Sequence, residues 1–327
     1  MKAVVRHSAI GLLLLLLAGF AALNILARHH ARAMLHFAPG GARTAKPEAL
    51  AAFAKLRVLL LGVNLPRPAD ERPPAVLAPE AQAVSIPVTG GAMLSAWQAG
   101  RGPHAPLVIF FHGYGTGKTR LLAEAREIHE MGASVLLVDF RGSGGSSGSD
   151  TTLGFREAED VAAAVDFARA YLPHAGLILY GQSMGSAAIL RAVAALGVRP
   201  DGVILESAFD SLLGTIRNRF DALGVPSFPA AELLVYWGGR QSGFNGFAHN
   251  PVEYAQALEC PALFLHGADD PRATLAEGRR VFAAVPGPKQ FVVFEQVGHD
   301  SYAAQHPDAW RAAIRLFLNP FWPGSSP

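Results

Sequence analysis

Three short segments of this chain carry residue types that together could perform acyl transfer. The first is Gly181-Gln182-Ser183-Met184-Gly185, a serine set between the apolar run 176-GLILY-180 and the stretch MGSAAILRAV. A serine hydroxyl is a poor nucleophile until a base takes its proton, and the base needs a carboxylate to orient it. Both lie downstream: 268-ADDP-271 offers Asp269 or Asp270, and 296-QVGHDSY-302 offers His299. Asp270 is the preferred acid, with Asp269 as its hydrogen-bonding neighbour and Glu206, after 202-GVIL-205, as the candidate one strand earlier. A serine after a strand also reads as a helix N-cap. The glycines two before and two after Ser183 favour a tight strand-to-helix turn that exposes the hydroxyl.

Acyl transfer also needs backbone donors for the developing oxyanion. Met184, directly after the serine, supplies one N–H. The loop His112-Gly113-Tyr114-Gly115, after the run VIFF, supplies the other, and the N–H of Tyr114 is favoured. His112, His266 and His306 read as structural or surface residues.

These segments need a rigid scaffold, and the pattern from residue 82 onward provides one. AVSIPV and MLSAWQ flank Thr89-Gly90-Gly91 as a β-hairpin. Six short apolar runs follow, 106–113, 134–139, 176–181, 202–206, 261–267 and 290–295, with helical stretches near 119–131, 155–171, 184–196, 273–284 and 302–317. Repeated strand–helix units after a hairpin predict an α/β fold: a mostly parallel, eight-stranded sheet with helices on both faces. Ligands of such sheets sit beyond the carboxyl ends of the strands, where Ser183, Asp270 and His299 are expected.

Two glycine-rich stretches imitate nucleotide sites. GYGTGKT at 113–119 would need glycine at position 112, where His112 stands, to be a phosphate-binding loop. The stretch 142-GSGGSSG-148 lacks the spacing of a dinucleotide fingerprint. Cys260 is the single cysteine, which excludes an intrachain disulfide and a cysteine-based zinc site. The expected chemistry uses no metal or organic cofactor.

With these residues in view, residues 82–318 resemble the α/β-hydrolase family, and within it the Bem46-like, membrane-anchored serine hydrolases and enzymes with a serine aminopeptidase S33-type domain. The matching segments are the HGYG loop, 139-DFRGSGGSSG-148, GQSMG, 206-ESAFDSL-212, 266-HGADD-270 and 297-VGHD-300. The resemblance implies that the fifth residue of H-G-x-x-D, Asp270, is the acid, and that Asp139 and Arg141 support the site structurally. One departure stands at position 273, where Ala273 replaces the usual larger apolar residue.

Outside the sheet, about 208–260 form an insertion too long for an ordinary loop. Its aromatic residues, among them Phe220, Phe228, Tyr236 and Trp237, suggest a lid, with Gly224, Pro226, Pro229, Gly238 and Gly239 breaking it into short pieces. At the front, Ala9 to Ala27 is a run of 19 residues without charge, long enough to span most of a hydrocarbon core of about 30 Å. It reads as an uncleaved transmembrane helix in preference to a cleaved signal, since it exceeds the usual signal core. The resulting division is an anchor at 1–27, a basic and Pro-rich stem at 28–81, the catalytic domain at 82–318 and a tail at 319–327.

The formal net charge of +2 hides an imbalance of +7 over residues 1–72 against −5 over the rest. A basic segment beside an apolar span points to lipid head groups, and without interleaved aromatics not to nucleic acid. Arg28, Arg32, Arg43 and Lys46 after the span, against Lys2 and Arg6 before it, lean toward a cytoplasmic catalytic domain. The expected activity is hydrolysis of carboxylic esters or thioesters of apolar acyl groups, small molecules or lipids. The alternatives are an aminopeptidase-like peptidase or amidase and a non-catalytic binding scaffold.

Overall fold

The computed structural model describes residues 2–69 and 72–322. Eight strands form one sheet: β1 Gln82–Val88, β2 Ala92–Ala99, β3 Leu107–Phe111, β4 Ser134–Val138, β5 Leu177–Gln182, β6 Gly202–Glu206, β7 Ala262–Gly267 and β8 Lys289–Phe294. Their spatial order is β1-β2-β4-β3-β5-β6-β7-β8. The β1–β2 hairpin and the β2–β4 pair are antiparallel, and every later pairing is parallel. This is the sheet the sequence predicts.

Strand periodicity explains why the central strands are apolar throughout. Leu107, Ile109 and Phe111 of β3 enter one core with Leu177 and Leu179 of β5, while Val108, Phe110, Ile178 and Tyr180 enter the core on the other face. Helices α4 (Glu157–Tyr171), α5 (Met184–Leu196) and α9 (Leu275–Ala284) cover the first face. Helices α3 (Leu122–Glu130), α10 (Tyr302–Gln305) and α11 (Pro307–Leu318) cover the second. The helical stretch expected over 302–317 is divided at Pro307, which opens α11 because proline is tolerated in a first turn but not inside a helix.

The insertion folds as α6 (Leu212–Leu223), α7 (Ala230–Ser242) and the short α8 (Pro251–Tyr254). Gly224 ends α6 in a left-handed cap, as its position suggests. Gly238 and Gly239, in contrast, lie inside α7 and do not break it. A Cβ at Gly239 would stand 2.6 Å from the Phe244 carbonyl oxygen, so this glycine admits the returning chain against the helix.

At the front, α1 runs from Lys2 to Leu35, well past the 19-residue apolar run. Its two halves differ. Leu12 to Leu17 are all exposed, whereas Ala27, Ala31 and Leu35, spaced by four, are buried against α7. The docked half places Arg28 over the Trp237 ring, 5.6 Å from its centre, and lets the Trp237 indole N–H donate to Asn24 Oδ1 at 3.3 Å. The stem is likewise held in place. It contains α2 (Ala52–Leu61), and Arg67 donates to the carbonyls of Gly144, Ser146 and Gly148 at 2.8, 2.5 and 3.0 Å. The glycine- and serine-rich turn after β4 exposes carbonyls, and one guanidinium satisfies three of them. The segment 319–327 is described as far as Trp322, and its remaining residues, like Asp70 and Glu71 of the stem, lie outside the described residues.

Candidate active site

Ser183 sits at the junction of β5 and α5 with φ 53° and ψ −108°, a backbone conformation that an L-residue adopts only under constraint. The constraint is steric. A Cβ at Gly185 would lie 2.2 Å from the Phe111 carbonyl oxygen, and one at Gly181 would lie 2.6 Å from Gly185 C. Strand and helix can therefore meet at this angle only with glycine at both positions. The Ser183 N–H donates to the Glu206 carbonyl at 2.8 Å, which ties the turn to the end of β6. Although Ser183 occupies the N-cap position of α5, its side chain makes no capping hydrogen bond. The half-buried hydroxyl is left without a partner among the described residues.

Parallel pairing of β7 with β8 sets the loops of Asp270 and His299 side by side. Gly267 makes this possible, since a Cβ there would stand 2.4 Å from the Val297 carbonyl oxygen. His299 Nδ1 and Asp270 Oδ2 are 2.7 Å apart, and Asp270 Oδ1 accepts from the N–H groups of Arg272 and Ala273 at 2.9 and 3.0 Å. An ionised Asp270 fixes Nδ1 as the donor, so Nε2 is the nitrogen left to accept a proton. Burial pushes the Asp270 carboxyl up, but the facing His299 and the two backbone donors outweigh it and hold the group below its ordinary value. Asp269, the neighbour, is exposed and does not meet His299. Glu206 is also set apart: it is fully buried and accepts from Gln182 Nε2 at 2.6 Å and from the Tyr180 hydroxyl.

The loop after β3 runs alongside the serine, and a Cβ at Gly113 would lie 3.7 Å from Ser183 Cβ. His112 shapes this loop. Its Nε2 accepts the Phe140 N–H at 3.1 Å, so its Nδ1 carries the proton and donates to the Gly113 carbonyl at 2.8 Å. The N–H of Tyr114 makes no hydrogen bond among the described residues. Met184 opens α5, so its N–H is one of the first-turn donors a helix leaves unused. Met184 directly follows the serine, and the loop that carries Tyr114 runs beside it.

The decoys resolve in structural terms. Lys118 is buried, with Nζ on Asp139 Oδ2 at 2.5 Å and 4.7 Å from the centre of the Trp97 ring, so it is committed to the sheet end and not to a phosphate. The glycines after β4 wrap the Asp139 carboxylate, to which the Gly145 N–H donates at 3.0 Å. Arg141 pairs with buried Asp160 at 2.6 Å. His266 bonds the Ala273 carbonyl and His306 the Glu295 carbonyl, as structural residues do. Among the described residues no three His, Cys, Asp or Glu side chains converge as a metal site would require.

The sequence profile of the family described as serine aminopeptidase, S33, matches residues 102–214. Among solved structures, the Pyrococcus furiosus esterase Pf2001 is similar with a TM-score of 0.64 at 23% identity, covering 80% of this chain and 99% of that one. The chain has the α/β-hydrolase fold. A relative by sequence is Bacillus subtilis YqkD, described as uncharacterized, 26% identical over 215 residues, which are 65% of this chain and 70% of YqkD. The yeast protein YNL320W, described as an uncharacterized membrane protein, is 27% identical over 190 residues, 58% of this chain and 62% of its own. A structure titled as a membrane phospholipase A is similar with a TM-score of 0.54 at 20% identity, covering 76% of this chain and 88% of that one.

Within this fold α1 and the stem lie against the Tyr114 loop, an arrangement the sequence did not reveal. The Tyr114 hydroxyl donates to the Met34 carbonyl of α1 at 2.5 Å, and Arg43 Nη1 donates to the Gly115 carbonyl at 2.6 Å. A cavity of about 180 Å³ lies between α1, the stem and α6. Ser183, Asp270 and His299 do not line it; Tyr114, of the loop beside Ser183, and Arg272, whose N–H donates to Asp270, do. Another missed residue is Tyr302, whose hydroxyl meets Ser207 Oγ at 2.6 Å and accepts the Gly267 N–H at 2.8 Å, bracing the ends of β6 and β7. These contacts join segments far apart in the chain, and no local pattern marks them.

Proposed function

We propose that this protein is a membrane-anchored serine hydrolase of carboxylic ester or thioester bonds in apolar acyl substrates. The observation that carries the reading is the Asp270–His299 pair at 2.7 Å, set at the same sheet end as a strained serine whose hydroxyl does not cap its helix. Ser183 Oγ attacks the acyl carbonyl while His299 Nε2 takes its proton, and Asp270 stabilises the imidazolium that forms. The N–H groups of Tyr114 and Met184 receive the negative charge on the carbonyl oxygen. Collapse of the tetrahedral intermediate returns the proton from His299 to the leaving alcohol or thiol. Water, deprotonated by the same nitrogen, then releases the acid and restores Ser183.

The exposed leucines of α1 support a transmembrane anchor, because a bare apolar helix of this length is stable only in hydrocarbon. The basic excess after the span supports a cytoplasmic catalytic domain. The family profile gives a peptidase of the aminopeptidase type as the second reading. Against it, Arg43 and Arg219 line the adjoining cavity without a carboxylate partner among the described residues and would repel a substrate ammonium group.

A fluorophosphonate probe tests the reading. Wild-type protein should label and Ser183→Ala should not, with hydrolysis of a medium-chain ester falling by roughly 10⁴-fold or more. Equal labelling of the two proteins would remove Ser183 from the mechanism. Faster cleavage of aminoacyl amides than of esters would promote the peptidase.

A further inference from the structure

The cavity beside Tyr114 combines two chemistries. Its walls are apolar, with Met34, Val58, Leu65, Ile216, Phe220 and Leu234 among them, yet four cationic side chains also face it. Two of these are neutralised within the protein: Arg272 pairs with Glu48 at 2.6 Å and Lys46 with Asp300 at 2.9 Å. Arg43 and Arg219 have no carboxylate within 4.0 Å among the described residues. Among the described residues the Arg43 side chain donates only to the Gly115 carbonyl. Arg219 donates through Nη1 to the carbonyl and hydroxyl of Thr215, at 2.5 and 2.9 Å. Each guanidinium keeps further N–H donors unused beside the apolar wall, with Arg43 exposed and Arg219 half-buried.

Partial burial pulls the Arg219 guanidinium below its ordinary value even with Tyr114, Asp270 and Glu277 acting to raise it, so an anion bound there would favour its charged form. The fork geometry of a guanidinium matches the oxygens of a phosphate. We propose that this cavity receives a single-chain acyl ester bearing a phosphate group, with Arg43 and Arg219 holding the anion, the apolar wall taking the chain, and the ester carbonyl directed past Tyr114 to Ser183. The proposal rests on the reading of Ser183 as the nucleophile.

The setting favours a membrane-resident substrate over a soluble phosphate ester. On α2, Phe53, Leu56 and Leu60 share one helix face and are 81, 53 and 57% exposed, and Val58 of the same helix lines the cavity. Together with the bare leucines of α1, that face gives an acyl chain an apolar route from a bilayer.

The test measures binding apart from catalysis. Calorimetric titration of full-length Ser183→Ala protein in neutral detergent compares dodecyl phosphate, dodecyltrimethylammonium and inorganic phosphate. Dodecyl phosphate should bind at least about tenfold more tightly than either comparator, as expected for charge-assisted bonds within an apolar site. Arg43→Gln and Arg219→Gln should each lower its affinity about tenfold, and Arg219→Lys should recover part of the loss. Arg217→Gln, on the exposed face of α6, should not change it. In wild-type protein, lysophosphatidylglycerol should be cleaved at least about tenfold faster than the monoacylglycerol of the same chain. Equal affinity for the two dodecyl amphiphiles overturns the proposal, as does indifference to both arginine substitutions. Inorganic phosphate binding as tightly as dodecyl phosphate overturns the lipid assignment. If Ser183 is not the nucleophile, labelling fails while the binding comparison still succeeds or fails by itself; the comparison of the two amphiphiles decides even if an arginine variant does not fold.

Discussion

The floor and the roof of the candidate site are built on different physics. The floor is the Ser183 turn, where backbone meets backbone. Gly181 and Gly185 lie so close to their neighbours that a single methyl group has no space, and the strained serine conformation is imposed by strands buried on both faces. The roof consists of α1, the stem, α6 and α7, which meet mostly through side chains and leave a cavity between them. Where α1 meets α7 the packing is looser, since a Cβ at Gly238 would stand 3.6 Å from Leu35, in ordinary contact. The contrast suggests that the floor fixes where chemistry happens, while the roof sets what can reach it.

The sharpest way to break that contrast is to place the same methyl group in each region. Gly185→Ala should lower unfolding stability by more than about 3 kcal/mol or prevent folding, because the Phe111 carbonyl cannot retreat without disrupting the sheet. Gly238→Ala should be neutral or raise stability by up to about 1 kcal/mol, since alanine favours a helix over glycine. Chemical denaturation of both variants decides; equal losses would mean that the two regions are packed alike.

A smaller effect should appear on pH change at the floor. Burial pushes the Glu206 carboxyl up to about 7, with the Glu124 carboxyl adding to the rise. Between the ordinary Glu value and about 7 the folded protein therefore holds a proton that the unfolded chain has lost. Stability should fall as pH rises through this window, by on the order of 2 kcal/mol from pH 5 to pH 8. Glu206→Gln should flatten that slope, as unfolding midpoints at the two pH values would reveal. An unchanged slope would assign the titration elsewhere.

The smallest expected effect belongs to the hydrogen bond joining the two regions. Tyr114→Phe removes the donor to the Met34 carbonyl at 2.5 Å and should cost about 1 kcal/mol of stability. Because the same residue supplies the proposed oxyanion N–H, the rate of fluorophosphonate labelling should also fall, by about tenfold or less. A stability loss with labelling unaltered would show that the roof does not position the loop.

The sheet was legible because each of its strands is a short apolar run ended by glycine or a polar residue, and the Ser183 turn because its glycines are a local steric requirement. The sequence favours Asp270 over Asp269 but does not show the geometry that sets the two apart. They are consecutive, and which one faces His299 depends on how Gly267 lets the β7 loop close against Val297. The stem shows the same limit. Its prolines predict an extended segment, but nothing local indicates that Arg67 closes on carbonyls of residues 144–148.

The sequence by itself therefore determined the class of fold, the apolar span at the front, and a serine, histidine and aspartate presented after strands, because periodicity and glycine sterics act over a few residues. Tertiary structure alone decided how Asp270 meets His299, that the end of the apolar helix docks on the insertion, and that two arginines without carboxylate partners among the described residues face a cavity beside Tyr114. Those outcomes depend on contacts between residues such as Met34 and Tyr114, 80 positions apart, whose meeting is set by the packing of whole elements and by no pattern within either one.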